Sequence, residues 1–120
     1  MDDAATIMDQ VVAALHTVVD PCGLFNRSHI TIGELGMYRR ITVSDDVLEI
    51  ELFLDDPSCS FAGQIMLDIR RAIAGIARGR EIRMPIVHDE AWDAERITEA
   101  GQRKLAAARA AFSQSLSTPR

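Results

Sequence analysis

The sequence predicts an α+β fold, a two-layer sandwich in the order α-β-β-α-β-α with helices packed on one face of a small mixed sheet. Three observations predict it. Apolar residues recur at helical spacing from Ile7 to Val19 and again from Phe61 to Ile76. Two short strand-like runs, Met37 to Val43 and Val47 to Leu54, are separated only by Ser44-Asp45-Asp46, which is hairpin spacing. A further alternating run, Arg80 to Val87, follows the second helical pattern. Elements of this kind are stable when each buries its apolar face against another layer.

The bulk numbers set the frame. A chain of 120 residues is expected to form one domain, spanning 1–120. At this size roughly two-thirds of the unfolded surface is buried, enough for a core without staples. Hydrophobic residues make up 48% and charged residues 26%, ordinary for a soluble globular protein. The net charge of −5 argues against non-specific nucleic-acid binding. Met1-Asp2-Asp3 lacks the basic start of a secretory signal, and no apolar run reaches membrane-spanning length. A cytoplasmic location is therefore expected, with Cys22 and Cys59 reduced rather than bridged.

The first helix is expected from Asp2 or Asp3 to a stop at Asp20-Pro21, because the residue before proline avoids the α region. Ile7, Met8, Val11, Val12, Leu15, Val18 and Val19 form its apolar stripe, read as core. His16, beside the stripe, reads as a surface or half-buried side chain. Asp20-Pro21-Cys22-Gly23 then opens a loop that runs to about Thr31, and Gly33 and Gly36 bracket Glu34-Leu35.

In the second strand Leu48, Ile50, Leu52 and Leu54 share one face, and Glu49 and Glu51 share the other. One sheet face is thus buried and one wet. Arg39 and Arg40 are placed to pair with Glu49 and Glu51, contacts that stabilise by under about 1 kcal/mol when exposed. The second helix buries Phe61, Ile65, Ile69, Ala72, Ile73 and Ile76, turns Asp68, Arg70 and Arg71 outward, and ends at Gly75 and Gly79. In the third strand Ile82, Met84 and Ile86 share a face, and Pro85, lacking an N–H, argues for an edge position. Trp92 reads as a packing anchor that pins the last helix. Asp93 can cap a last helix of about 94–115, whose larger apolar contacts are Ile97, Leu105 and Phe112. Ser115 to Arg120 is expected to fray.

The chemistry concentrates in Asp55-Asp56-Pro57-Ser58-Cys59-Ser60-Phe61-Ala62-Gly63, a strand-to-helix turn that carries a thiol. Pro57 disfavours helix at Asp56, so the helix begins after it. Ser58 or Ser60 can cap that start. Cys59 then sits where free N–H groups and the positive end of the helix dipole favour a thiolate. Metal binding and nucleophilic attack both need a thiolate. An enzyme is not expected. The chain has no Gly-rich phosphate loop, His-Glu-x-x-His helix, CxxC pair or Gly-x-Ser-x-Gly turn. A pair of Cys59 with His16, His29 or His88 has no support in the spacing.

The run of strand, acidic pair, Pro57-x-Cys59 and Ala62-Gly63 into an apolar helix resembles the cysteine loop of the MIP18-like family (DUF59). That family includes SufT-type proteins and the D-type proteins of phenylacetate degradation. Asp20-Pro21 is similar to its Asp-Pro-Glu loop, and Leu35-Gly36-Met37 to the entry of its first strand. Trp92 also matches, and Ile97 to Leu105 is similar to the helix that the phenylacetate-degradation members append. The resemblance covers about Val11 to Leu105. Two positions depart from it: Cys22 stands where the family usually has glutamate, and Asp55 and Asp56 stand near family threonines.

The resemblance implies iron–sulfur cluster assembly or metalloenzyme maturation, with a cluster or iron handled transiently through Cys59. Cys59, Cys22, Asp55 and Asp56 are the candidate ligands. Asp20, Pro21, Pro57, Ser58 and Ser60 would shape the site. One thiolate does not hold a cluster, which wants about four. A homodimer in which each copy offers Cys59 and Cys22 would supply them. Cys59 with Asp55, Asp56 and a histidine would instead suit a single divalent ion. Cys22 reads equally as a ligand or as an idle, packed thiol. The two carboxylates oppose the dipole effect on Cys59 and disfavour an anionic cluster. This leaves a second reading, an adaptor or chaperone-like module for a partner metalloenzyme that binds no metal. Protein clients and assembly machinery are the expected partners in either case, with neither nucleic acid nor membrane.

Overall fold

The computed structural model describes residues 4–21, 28–54 and 62–117, with the backbone alone for residues 112 and 114–117. Helix α1 is Ala4–Leu15, with Ile7, Val11 and Leu15 fully buried. It stops short of the expected end at Asp20-Pro21. Thr17 donates both its N–H and its hydroxyl to Ala14 O, and Val18 N–H donates to Leu15 O, so the last turn tightens and closes. Val18 is still buried, but Val19 leaves the helical stripe to bridge Thr31 in antiparallel fashion. Asp20 N–H donates to Ile30 O at 2.9 Å, and Ile32 N–H to Val18 O at 2.8 Å. β-Branched residues suit this extended pairing better than another helical turn.

A short helix, α2, covers Ile32–Leu35. Thr31 caps it, and Gly36, at φ +64°, closes it in the left-handed region that glycine adopts without strain. Strand β1 is Tyr38–Val43 and β2 is Val47–Leu52, paired antiparallel with Ile41 opposite Ile50. Ser44 N–H donates to Val47 O across the tight turn. Leu48, Ile50 and Leu52 are buried, as the alternation requires.

Helix α3 is Ala62–Ala77 and buries Ala62, Ile65, Ile69, Ile73 and Ala77. Phe61, expected at the head of this stripe, lies outside the described residues. Gly75 lies inside the helix rather than at its end. Arg78 at φ +52° and Gly79 at φ +85° make the stop. Strand β3, Glu81–Arg83, pairs parallel with β2, giving the order β1-β2-β3 and the expected mixed sheet. It is shorter than the Arg80–Val87 run. Leu52 N–H donates to Pro85 O and Val87 N–H to Leu52 O, so Pro85 faces β2 rather than away from it. In this register the ladder calls on residue 85 for an N–H to Ile50 O. Proline has none, so pairing breaks and resumes only as the bridge of Leu52 with Ile86.

α1 and α3 lie together on the buried face of the sheet. One apolar cluster joins Ile7, Val11 and Leu15 to Leu48, Ile50 and Leu52 and to Ile65, Ile69 and Ile73. The C-terminal helix departs from expectation. Asp93 caps only a 3-10 turn, Ala94–Arg96, and Ile97 is extended at ψ 128°. Thr98 starts afresh, its Oγ1 accepting from Gly101 N–H, and α4 runs from Glu99 to Ser117. The early part of α4 lies on Ile30 and Glu34, where Gly101 is buried. Ala106, Ala107, Ala110 and Ala111 are exposed, and the molecule is elongated at 61 × 30 × 24 Å. Among the described residues no helix is long and apolar enough to cross a membrane.

Candidate functional site

The expected site falls on two stretches of chain. Cys22 lies outside the described residues, as do Asp55, Asp56, Pro57, Ser58, Cys59 and Ser60. Asp20 and Pro21 are described, and so are the supports on which both stretches are mounted.

The stretch bearing Cys59 leaves the sheet at the end of β2. Phe53 there is buried, its N–H donating to Met37 O at 2.9 Å. The Arg96 guanidinium sits 4.3 Å above the Phe53 ring centroid, a cation–π contact that fixes the ring from the outside. Leu54 follows, half-buried, on the wall of a cavity of about 150 Å³ shared with Phe53, Val87, Glu90, Ala91 and Trp92. Trp92 is the anchor the sequence suggests, but it pins this segment to α2, donating Nε1–H to Leu35 O at 2.8 Å.

An ion-pair network braces the same end of the sheet. The pairing register shifts between Tyr38 and Ile41, so Arg39 and Arg40 together oppose Glu51. Arg39 holds Glu51 with two bonds, 2.9 and 3.3 Å, and reaches Asp89 at 3.1 Å and Glu90 at 3.2 Å. Arg40 lies 3.9 Å from Glu51. Glu51 thus serves both arginines, whereas Glu49 pairs with neither among the described residues. Arg96 takes the other oxygen of Glu90. The bonds from Glu51, and then Glu90, push the Arg39 guanidinium above its ordinary pKa. Arg39 in turn holds the Glu51 carboxyl low. Glu90 is lowered by Arg96 first and Arg39 second, and Asp89 by its own backbone N–H first and Arg39 second. Asp89 and Glu90 face solvent while Arg39, Glu51 and Arg96 are half-buried, so the outer pairs align segments more than they stabilise them.

The same stretch enters α3 at Ala62. Ala62 turns into the core, whereas Gly63 and Gln64 are exposed. A Cβ built on Gly63 meets no other described residue within 4 Å, so among the described residues nothing covers the outer side of this first turn. The first four N–H groups of a helix have no partner within it, and the dipole adds positive potential there. Cys59 stands three residues ahead of Ala62 in sequence.

The stretch bearing Cys22 starts and ends on the antiparallel pair formed by Val18–Asp20 and Ile30–Ile32. Pro21 is buried at its start. At its far end Ser28 is buried, with Oγ accepting from Ile30 N–H at 3.4 Å, and His29 is exposed at φ +53°. Beyond lies a buried carboxylate that the sequence does not single out. Glu34 Oε1 accepts from Thr31 N–H at 3.0 Å, from the Thr31 hydroxyl at 3.1 Å and from Lys104 Nζ at 2.7 Å. Thr31 Oγ1 accepts from Glu34 N–H in return, completing a capping box. Burial pushes the Glu34 carboxyl up, but Lys104 and Thr31 outweigh it and hold it below the ordinary glutamate range. The Thr31-x-x-Glu34 spacing is a legible signal for the box. Nothing local points to Lys104.

His16, His29 and His88 are exposed, and the His16 ring lies across Gly33. Among the described residues no three of His, Cys, Asp and Glu come together as a metal site would require.

Comparison with known proteins bears on this geometry. Residues 8–84 match the family model described as iron–sulfur cluster assembly protein, a span that includes both cysteines. The chain is 34% identical over 76 residues to an iron–sulfur cluster carrier protein of Deinococcus radiodurans. That match covers 63% of this chain but only 20% of the relative. The chain thus spans about a fifth of the length of that protein. A crystal structure of a DUF59 domain from Bacillus anthracis superposes with a TM-score of 0.71 at 22% identity, covering 86% of this chain and 94% of that one. A conserved hypothetical protein from Thermotoga maritima gives 0.64 at 23% identity, covering 81% and 91%. These two likenesses concern the fold.

Proposed function

The chain belongs to the iron–sulfur cluster assembly protein (DUF59) family, and we propose that it handles iron or a cluster transiently through Cys59. The family match across the turn from β2 into α3 carries the reading. A thiol there stands ahead of a helix start whose outer side, among the described residues, nothing covers at Gly63. The unpaired N–H groups and dipole of α3 favour the thiolate, and a thiolate is the form that takes iron. Asp20 and Pro21 shape the neighbouring turn, with Pro57, Ser58 and Ser60 shaping the other. Cys22, Asp55 and Asp56 are the further candidate ligands.

In this role iron or the cluster is cargo. The chain performs no catalysis and works as one domain in the cytoplasm, passing its cargo to apoprotein clients or to assembly machinery. Two copies contributing Cys59 and Cys22 would provide the roughly four thiolates that a cluster wants. The curated relative's name, iron–sulfur cluster carrier, supports the carrier reading. Asp55 and Asp56 favour a second reading. Two carboxylates close to the thiol disfavour an anionic cluster, and the chain then acts as an adaptor for a partner metalloenzyme without holding metal.

Anaerobic reconstitution with iron and sulfide separates the two. The carrier reading expects visible absorbance in wild type, lost in Cys59→Ser and weakened in Cys22→Ser. A colourless wild type that binds no iron overturns it in favour of the adaptor.

A further inference from the structure

The buried carboxylate of Glu34 joins two parts of the molecule that no sequence pattern connects. On one side stands α4. Lys104 Nζ donates to Glu34 Oε1 at 2.7 Å and to His29 O at 3.3 Å. Thr98 N–H donates to Glu34 O at 2.8 Å. Gly101 comes so close that a Cβ there would meet Glu34 O at 3.0 Å and Ile30 Cδ1 at 3.1 Å. On the other side stands the start of the Cys22 stretch. Two backbone bonds, Asp20 N–H to Ile30 O and Ile32 N–H to Val18 O, hang it on the segment that α4 grips.

We infer that Lys104 of α4 is a positioning residue for the Asp20–Pro21 turn, acting through Glu34 and the Ile30–Ile32 segment. Three donors meet on one oxygen of Glu34, and two of them belong to Thr31, the residue bridged to Val19. Lys104 supplies the only positive charge among the three. Without it a carboxylate at 7% exposure keeps, among the described residues, only the two neutral donors of Thr31. Glu34 then gains by turning toward water, and Thr31 loses the side chain that fixes its N–H and hydroxyl. The pairing of Ile30–Ile32 with Val18–Asp20 loosens in consequence. α4 thereby serves as more than an appended helix: a partner that moves its first two turns also moves the Asp20 turn. The functional meaning of this coupling rests on the site proposed above, but the coupling is measurable without metal.

Residue-resolved amide hydrogen exchange on the whole protein tests it. In Lys104→Met, exchange at Asp20 and Ile32 is expected to rise at least several-fold, while Leu52 and Val87, bonded across β2 and the Pro85 segment, keep wild-type rates. Lys104→Arg, which keeps the charge, is expected to restore protection at Asp20 and Ile32. Unchanged exchange at those two amides overturns the inference. A uniform rise across all four does so too, since it reports general destabilisation, and Lys104→Arg gives a second reading if Lys104→Met folds poorly. Failure of wild type to load iron would sink the carrier reading and leave this result standing. Unchanged exchange would do the reverse.

Discussion

Gly36→Ala is the substitution whose effect follows most directly from the structure. Gly36 holds φ +64° at the end of α2, where its N–H donates to Gly33 O and Ile32 O and closes the helix. An alanine in this left-handed region is strained by about 1–2 kcal/mol. A second effect adds to it. The new Cβ would collide with the backbone carbonyl of Arg96 and with the Arg96 side chain. Backbone cannot step aside cheaply, and overpacking of this kind costs about 1–3 kcal/mol. The sum is roughly 3 kcal/mol, which lowers the melting temperature by about 10 °C for a domain of this size. Gly79→Ala is the control. Gly79 has φ +85° but no other described residue within 4 Å of its Cβ position, so it carries the strain alone, about 1–2 kcal/mol. Thermal and urea unfolding of the two variants decide the matter. Equal losses would refute the reasoning, because they would mean that the 94–96 turn does not press on Gly36.

Other outcomes follow from the same structure. Gly75→Ala, inside α3 with no other described residue within 4 Å of the new methyl, is expected to raise stability by about 0.5–1 kcal/mol in urea unfolding. Ile69→Ala, at a fully buried position, is expected to lower it by about 2–5 kcal/mol in the same assay. Glu34 titrates below the ordinary glutamate range in the folded chain, so its contribution is complete above the unfolded value, about 4.3, and lost as pH falls through the folded one. Urea unfolding from pH 7 to pH 3 is expected to show this acid-side loss in wild type and a smaller one in Glu34→Gln. Identical pH profiles would remove Glu34 from the account.

Much of the fold is legible in the sequence because periodicity reports which face is buried. The stripe Ile65, Ile69, Ile73 and the alternation Leu48, Ile50, Leu52 both lead straight to the observed core. Sequence and structure part where hydrogen bonding outranks periodicity. Val18 and Val19 continue the apolar stripe of α1, yet the Thr17 hydroxyl closes the helix and Val19 pairs with Thr31. Asp93 is a sound cap, but Thr98 competes for the same role and draws its N–H to Glu34 O, so one expected helix becomes a 3-10 turn and α4. Pro85 correctly marks an edge, since β3 is the outer strand of the sheet, but that it faces β2 follows from a register the 80–87 run alone does not set. Of the site, Asp20 and Pro21 are legible as a break in the helical pattern, but the helix itself ends earlier, at Leu15, and Asp20 lies on the extended pair with Ile30. The Glu34–Lys104 pair is not legible, because its partners lie 70 residues apart and only tertiary packing joins them. The bulge that lets Arg39 and Arg40 share Glu51 is equally hidden, since strict alternation would turn these two adjacent residues to opposite faces of the sheet.

The thiolate ahead of α3 is the claim on which the functional account depends. Its most direct test is the rate at which iodoacetamide alkylates Cys59 in the native protein, followed by mass spectrometry across neutral pH. The account expects faster modification than a free cysteine shows, with an apparent pKa below the free-thiol value of about 8.5. A Cys59 that resists the reagent until the chain is unfolded would contradict it.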